Sequence, residues 1–252
     1  MKRLLILFSL LIATCGCSPA MGCNSLLGSG PCTRILFIGN SYTAVNDLPT
    51  MFADLAGSGG QRVETGMAAP GGRTLAYHAG SSDTLTKIKS TNWNYVVIQE
   101  QSEIPSIQLY RTQDMYPAAR NLVRVIRNIG ATPVFFETWA HRDGLPENGM
   151  QNYESMQFQI DNGYLGIAQE LNVTLAPVGF AWLMVRRQSP QLDLWQADGS
   201  HPTEQGTYLA ACVFYSVIFK KSPEGLTFTA QQPIETAQLL QKTAAETILT
   251  IP

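Results

Sequence analysis

Five short apolar runs, each separated from the next by a segment with helical spacing, limit what this chain can fold into. The runs cover residues 35–38, 63–67, 95–99, 133–137 and 173–178. The helical patterns between them cover residues 48–56, 74–89, 115–129 and 153–171. Strands that alternate with helices pair in parallel and have both faces covered. The order therefore predicts an α/β protein, with a five-stranded parallel sheet inside a three-layer α/β/α sandwich.

The last third of the chain adds two predicted helices. One starts near residues 202–203, because Leu209, Val213 and Val217 recur every four residues, and the other covers 234–249. A chain of 252 residues is long enough for one sizeable core and leaves little room for a second. We predict one domain over residues 33–252.

The amino terminus has the pattern of a secretory signal. Two basic residues precede an apolar run at 4–13, which is too short to span a membrane as a helix. We predict a signal peptide at 1–22 without a fixed cleavage site, and export to the periplasm or the medium. Cys15 and Cys17 loosely resemble a lipoprotein signal, so a lipid anchor stays open. No later run of 18 apolar residues predicts a transmembrane segment.

Composition and cysteine usage exclude several function classes. The net charge is -2 and no basic stripe is present, which argues against nucleic-acid binding. No C-x-x-C or H-E-x-x-H spacing occurs, so the sequence predicts neither a metal nor another cofactor. In an exported protein Cys23 and Cys32 could close a short disulfide loop, while Cys212 lies in an apolar helical pattern and is predicted to be a buried free thiol.

The first strand ends in a serine that is either a helix cap or a nucleophile. Sheets of this kind bind ligands beyond the carboxyl ends of their strands, which is where Ser41 lies. A serine at a strand-to-helix junction is most often a cap. To react, its hydroxyl needs a base within hydrogen-bond reach and a third group that orients the base.

Only three histidines could supply that base, and one has a suitable partner. His201 follows Asp198 by three residues in a turn, so the carboxylate can reach one ring nitrogen while the other faces the cleft. His78 lies in a helical pattern and is predicted to be at the surface or half-buried. His141 follows the fourth strand and could line the cleft, but it has no evident orienting partner.

Four blocks in this order resemble the SGNH (GDSL-like) hydrolases, which are serine esterases on a flavodoxin-like sheet. The blocks read "FIGNSYT", "PGGRT", "VVIQEQS" and "DGSHPT", and the resemblance covers residues 34–215. It implies that Ser41 is the nucleophile and that Asp198 and His201 complete a catalytic triad. It also implies an oxyanion hole that includes the backbone N–H groups of Ser41 and Gly72.

Two blocks depart from the family pattern. Asn40 replaces the usual acidic residue before the nucleophile, and the third block lacks the usual G-x-N-D. Gln101 takes the place of the Asn whose amide donates to the oxyanion, as in a bacterial subgroup that carries Gln there. Gln99 is the less favoured alternative for this donor.

The resemblance predicts an exported ester hydrolase that forms an acyl-enzyme and cleaves short acyl esters, acetyl above all. The substrate would be a small-molecule or carbohydrate ester. A lipase or thioesterase of the same family, or a binding protein without turnover, are the alternatives. Trp139, Tyr110 and Trp195 are either sugar-stacking or packing residues. The sequence predicts no oligomeric state.

Overall fold

The computed structural model describes Cys23 and residues 30–250. The predicted signal peptide, including Cys15 and Cys17, lies outside the described residues. The side chain of Cys23 forms a disulfide with Cys32, at the start of the first strand. Within the described residues, no helix is long and apolar enough to cross a membrane.

The sheet contains the five strands that the apolar runs predict. They are β1 (Cys32–Ile38), β2 (Arg62–Ala68), β3 (Tyr95–Ile98), β4 (Thr132–Glu137) and β5 (Thr174–Pro177). All pairs are parallel and the strand order is β2-β1-β3-β4-β5. The predicted α/β class and five-stranded parallel sheet are confirmed, and this order is that of flavodoxin-like folds.

In the described part of the chain, seven helices lie between successive strands, and three more follow β5. They are α1 (Ser41–Ala44), α2 (Leu48–Ser58), α3 (Leu75–Gly80), α4 (Ser82–Lys89), α5 (Gln108–Tyr110), α6 (Tyr116–Asn128), α7 (Tyr153–Leu171), α8 (Val178–Gln188), α9 (Glu204–Phe219) and α10 (Ile234–Thr250). Short 3-10 turns cover Val45–Asp47, Ile104–Ser106 and Pro146–Asn148, and Arg111–Met115 forms a π-helical turn.

The helices form two layers. On one side α9 packs against α2, α8 and α10, and on the other α6 packs against α3 and α7. The side chain of Phe214 on α9 lies at the centre of the first layer. Its ring centroid is 5.3 Å from that of Phe37 on β1 and 5.0 Å from that of Phe136 on β4, both edge to face. Such aromatic pairs add to the stabilisation from burial alone.

Two helical segments differ from the prediction. The helix expected at 74–89 is broken at Ser81, whose hydroxyl accepts a hydrogen bond from Thr84 N at 3.3 Å and caps α4. Helix α8 was expected only as a helix after the fifth strand, without bounds. It begins directly after β5 and is apolar over most of its first two turns, so the sequence shows one long apolar run without a helical period.

The strand ends that matter for the site are level with one another. Ile38 on β1 pairs with Ala68 on β2 and with Ile98 on β3. The segments that follow these three strands therefore leave the sheet at the same edge. The point between β1 and β3, where the strand order reverses, is where open sheets of this type bind ligands.

Candidate active site

Ser41 begins α1 immediately beyond β1, in a turn that requires the preceding glycine. A Cβ atom on Gly39 would lie 2.3 Å from Gln99 Oε1 and 2.5 Å from Thr43 Oγ1, so no side chain is accommodated there. Asn40 then caps the helix, since its Oδ1 accepts a hydrogen bond from Tyr42 N at 3.0 Å. The cap is thus Asn40, and the hydroxyl of Ser41 is not used for capping.

The structure brings together the three residues predicted as a triad. Ser41 Oγ lies 2.9 Å from His201 Nε2, and His201 Nδ1 lies 2.5 Å from Asp198 Oδ2. A nucleophile, a base and an orienting carboxylate in this sequence of contacts is the arrangement that activates a serine hydroxyl. These three side chains lie at the carboxyl edge of the sheet and are partly accessible to solvent.

The turn from Asp198 to His201 holds the carboxylate in place. Asp198 Oδ1 accepts hydrogen bonds from Ser200 N at 2.9 Å and from His201 N at 3.0 Å. Gly199 has a φ of +69°, which favours glycine in this tight turn. Slight burial raises the pKa of Asp198, but the hydrogen bonds from Ser200 and His201 outweigh it and lower the pKa to about 2. The carboxylate is therefore charged at neutral pH.

The backbone N–H groups of Ser41 and Gly72 lie at this edge and have no acceptor among the described residues. Gly72 has a φ of +69°, in the left-handed region. The next residue, Arg73, is held against the turn at residues 39–41 (the Ser41 turn) because its carbonyl accepts a hydrogen bond from Asn40 Nδ2 at 3.0 Å. Unused N–H groups beside a nucleophile are the donors that an oxyanion hole needs.

Gln99 is fully buried and its amide is saturated. Its Oε1 accepts hydrogen bonds from Asn40 N at 2.9 Å and from Thr43 Oγ1 at 3.0 Å. Its Nε2 donates to Asn40 Oδ1 and to the carbonyl of Glu100, which uses both amide hydrogens. Gln99 therefore holds the Ser41 turn in place through its bonds to Asn40 and Thr43, a role that the sequence did not suggest.

Gln101 is half-buried and keeps one amide hydrogen unused within the described residues. Its Oε1 accepts hydrogen bonds from Glu103 N at 2.8 Å and Ile104 N at 3.2 Å. Its Nε2 donates to Ser102 Oγ at 3.2 Å. The side chain is thus fixed in position while it can still donate one hydrogen bond.

Asn40 shows why an amide suits the position where the family usually has a carboxylate. Its Oδ1 accepts from Tyr42 N and Gln99 Nε2, while its Nδ2 donates to the carbonyl of Arg73. An ionised aspartate could accept but could not donate to a carbonyl. Asn40 and Gln99 both depart from the family pattern, and they bond to each other: Asn40 N donates to Gln99 Oε1, and Gln99 Nε2 donates to Asn40 Oδ1.

The other two histidines have different surroundings. The expectation that His78 is at the surface or half-buried was wrong, since its side chain is fully buried. Both ring nitrogens have partners there: Nε2 donates to the carbonyl of Gly39 at 2.8 Å, and Nδ1 accepts from Thr84 Oγ1 at 2.9 Å. Burial lowers its pKa. His141 lies beside the site, with Nε2 3.2 Å from Ser102 Oγ.

Two of the aromatic residues considered for sugar stacking are packing residues. Trp139 is 1% exposed and Trp195 is 3% exposed. The ring of Trp139 is stacked between those of Tyr42 and Trp182, at centroid distances of 4.5 Å and 4.0 Å. Its Nε1 donates to the carbonyl of Ser200 at 2.9 Å, so Trp139 supports the turn that carries His201. Only Tyr110, at 43% exposure, has an accessible ring.

Comparison with solved structures finds the same fold in known hydrolases. A protein from Slackia heliotrinireducens, described as a candidate SGNH hydrolase, is 29% identical with a TM-score of 0.64, over 75% of this chain and 100% of that one. A DUF4886 family protein from Bacteroides uniformis is 20% identical with a TM-score of 0.73, over 87% and 96%. A variant of an acetyl-xylooligosaccharide esterase from Geobacillus is 16% identical with a TM-score of 0.56, over 74% and 94%.

A scan against models of protein families and a comparison with curated proteins each gave no match. The structural neighbours nevertheless include SGNH and GDSL-like hydrolases, the family that the four sequence blocks resemble. The chain has the fold of the SGNH hydrolases, and its predicted resemblance to that family is confirmed. The assignment of Gln101 to the position of the family's Asn stays a prediction.

Proposed function

We propose that the protein is a carboxylic ester hydrolase with Ser41 as its nucleophile. The observation that carries this proposal is the continuous chain of contacts from Ser41 Oγ through the imidazole of His201 to Asp198. Solved structures that share the fold include esterases, which is consistent with the same chemistry.

The reaction follows from the positions of these three side chains. Ser41 Oγ attacks the ester carbonyl carbon while its proton moves to His201 Nε2, and the carbonyl electron pair moves to oxygen. Asp198 stabilises the imidazolium that forms. Collapse of the tetrahedral intermediate breaks the bond to the alcohol, which takes the proton from His201 and leaves an acyl-enzyme. Water then repeats both steps and releases the acid and the free serine.

The negative charge on the carbonyl oxygen requires nearby donors. We assign this role to the N–H groups of Ser41 and Gly72 and to the side-chain amide of Gln101. The two backbone groups have no acceptor in the described part of the chain, and Gln101 keeps an amide hydrogen that Gln99 does not. Donors held in place before the reaction are worth several kcal/mol in the transition state.

A fluorophosphonate probe tests the nucleophile. The native protein should be labelled at Ser41, and Ser41→Ala should abolish labelling and hydrolysis while the protein stays folded. His201→Ala should be about as damaging, since base and nucleophile act as a unit. His141→Ala is the matched control, because its ring contacts Ser102 and not the nucleophile. A native protein that neither labels nor hydrolyses esters would support a binding protein instead, and a greater loss in His141→Ala would make His141 the base.

The preferred substrates are short acyl esters, with acetyl esters of carbohydrate as the first candidates. The segments around Ser41 are small and polar. Of the three residues that could form an apolar wall after β3, Ile104 and Ile107 pack against the core, while Leu109 is exposed. One structural neighbour is an acetyl-xylooligosaccharide esterase, which agrees with this choice at the level of fold. A lipase site would need a long apolar groove.

An ester series measures this preference. We expect kcat/KM for p-nitrophenyl esters to be highest at two carbons and to fall steadily toward twelve. Acetylated xylo-oligosaccharides should be deacetylated as well. A maximum at eight carbons or beyond would contradict the acetyl preference and favour a lipase or thioesterase.

Export is proposed on two grounds: the pattern of residues 1–22 and the Cys23–Cys32 disulfide. Disulfides persist in oxidising compartments and are rare in the cytosol. Fractionation of expressing cells should place the mature protein outside the cytoplasm. Replacement of Cys17 by Ser tests the lipid anchor, since only an anchored protein would move from the membrane fraction to the soluble fraction.

A further inference from the structure

Glu100 is a buried carboxylate that the triad chemistry does not use. It follows β3 and its side chain is fully buried. Its Oε2 has no hydrogen-bond partner among the described residues. A buried carboxylate is costly unless it makes specific hydrogen bonds, so its contacts identify what it stabilises.

The other carboxylate oxygen connects two segments that lie far apart in the sequence. Glu100 Oε1 accepts hydrogen bonds from Leu75 N at 3.0 Å and from Gln101 N at 2.6 Å. Leu75 lies three residues after Gly72, and Gln101 carries the amide assigned to the oxyanion. One oxygen atom therefore fixes the distance between the chain segments that supply two of the three proposed donors.

The remaining bonds keep Glu100 and the Gly72 segment from moving independently. The backbone N of Glu100 donates to Tyr164 Oη on α7 at 3.0 Å. Between Gly72 and Leu75, the carbonyl of Arg73 accepts a hydrogen bond from Asn40 Nδ2. The segment from Gly72 to Leu75 is thus held at Arg73 by Asn40 in the Ser41 turn, and at Leu75 by Glu100.

We propose that Glu100 is a positioning residue that sets the geometry of the oxyanion hole by holding Leu75 N and Gln101 N on one carboxylate oxygen. This inference rests on the proposed function, because it assigns Glu100 to the same reaction. Glu100 itself touches neither the ester nor the triad. Its effect is exerted through the positions of the Gly72 N–H and the Gln101 amide.

Variants of Glu100 should change kcat more than KM, since the oxyanion forms only in the transition state. Glu100→Ala should lower kcat by up to about a hundredfold, the loss expected when reacting groups are misplaced by about 1 Å. Glu100→Gln keeps an acceptor oxygen at the same place and should recover most of this loss. Urea unfolding of each variant separates these effects from a loss of stability.

Glu137 provides a matched control. It is also a fully buried carboxylate, at the end of the neighbouring strand β4, but its Oε2 accepts from Gly179 N and Phe180 N at the start of α8. Glu137→Gln should change stability and leave kcat nearly unchanged. If it lowered kcat as much as Glu100→Ala does, a general effect of buried carboxylates would explain both, and the inference would be wrong.

Double-mutant cycles on kcat distinguish positioning from other roles. The loss in Glu100→Ala should be much smaller when Gln101 is already Ala, because the two changes disturb the same donor, and it should be undiminished when Asp198 is already Asn. Should Glu100→Ala not fold, the cycles use Glu100→Asp, whose shorter side chain moves the carboxylate away from Leu75 N and Gln101 N. Additivity with Gln101→Ala, or a folded Glu100→Ala with native kcat, overturns the inference alone. A native protein without labelling or hydrolysis overturns the proposed function as well.

Discussion

Gln99 and Gln101 differ in how many of their amide hydrogens are already bonded. Both hydrogens of Gln99 are donated within the protein, whereas Gln101 donates one. We expect Gln101→Ala to lower kcat by about a hundredfold to a thousandfold, the usual effect of losing one oxyanion donor, with little change in KM. Gln99→Ala should mainly lower stability, since it leaves Asn40 N and Thr43 Oγ1 without a partner.

Steady-state kinetics with p-nitrophenyl acetate and urea unfolding of both variants give the two readouts. Gln101→Glu is the matched control, since it keeps the acceptor oxygen but replaces the donating amide. A selective kcat loss in a stably folded Gln99→Ala, with none in Gln101→Ala, would move the donor two residues toward the amino terminus.

The pKa of Glu100 leads to a second prediction at the scale of one residue, which concerns how the free energy of unfolding depends on pH. Burial raises the pKa of Glu100 from 4.5 to about 7, although the hydrogen bonds from Gln101 N and Leu75 N lower it in part. The folded protein therefore binds this proton more tightly than the unfolded chain does. The stabilisation is fully present below about pH 4.5 and is lost as pH rises through about 7.

Relative to Glu100→Gln, the native protein should lose roughly 3 kcal/mol of unfolding free energy between about pH 4 and about pH 8. Urea unfolding of both proteins at several pH values measures the difference, and the Gln variant removes the contributions of all other titrating groups. A difference that stays constant, or that grows in favour of the native protein with pH, would contradict the raised pKa.

At the scale of elements, the side chain of Phe214 is a main contact between helix α9 and the sheet. Phe214 is fully buried and contacts Phe37 and Phe136 on two strands. Phe214→Ala should lower the unfolding free energy by about 3–5 kcal/mol, because it leaves a cavity between helix and sheet. Phe214→Leu fills most of that space and is the control, with a smaller loss expected. A loss below about 1 kcal/mol in the Ala variant, measured by urea unfolding, would show that this layer can repack.

The strands could be predicted from sequence better than the helices, and the proximity of Ser41, Asp198 and His201 better than the contacts that hold their segments in place. A central parallel strand is buried on both faces, so β1, β3 and β4 read as apolar runs. The apolar start of α8 gave the same signal, so the bounds of that helix could not be read from the sequence. The pairing of Ser41 with His201 could be proposed from the sequence because few residue types can serve as nucleophile and base. The partners of Glu100 come from separate segments, so no local pattern could reveal them.

At the scale of the whole molecule, Cys212 reports on global unfolding. Its thiol lies in the middle of α9, fully buried, and burial raises its pKa well above the ordinary range. Thiolate, not thiol, reacts with alkylating reagents. The folded mature protein should therefore resist iodoacetamide at Cys212, and labelling measured by peptide mass spectrometry should follow the urea unfolding curve. Rapid labelling without denaturant would show that α9 opens locally, and Cys212→Ser identifies the labelled peptide.

Ser41 and His201 are 160 positions apart in the chain, although their side chains are in contact. A ribosome that makes the protein from its amino terminus completes β1 and the serine long before the turn that carries the imidazole. Under the proposed mechanism, the hydroxyl of Ser41 lacks its base until the last third of the chain has been synthesised and has folded against the sheet. We therefore expect a nascent or truncated chain that ends before residue 198 to be a poor hydrolase, because it lacks both Asp198 and His201.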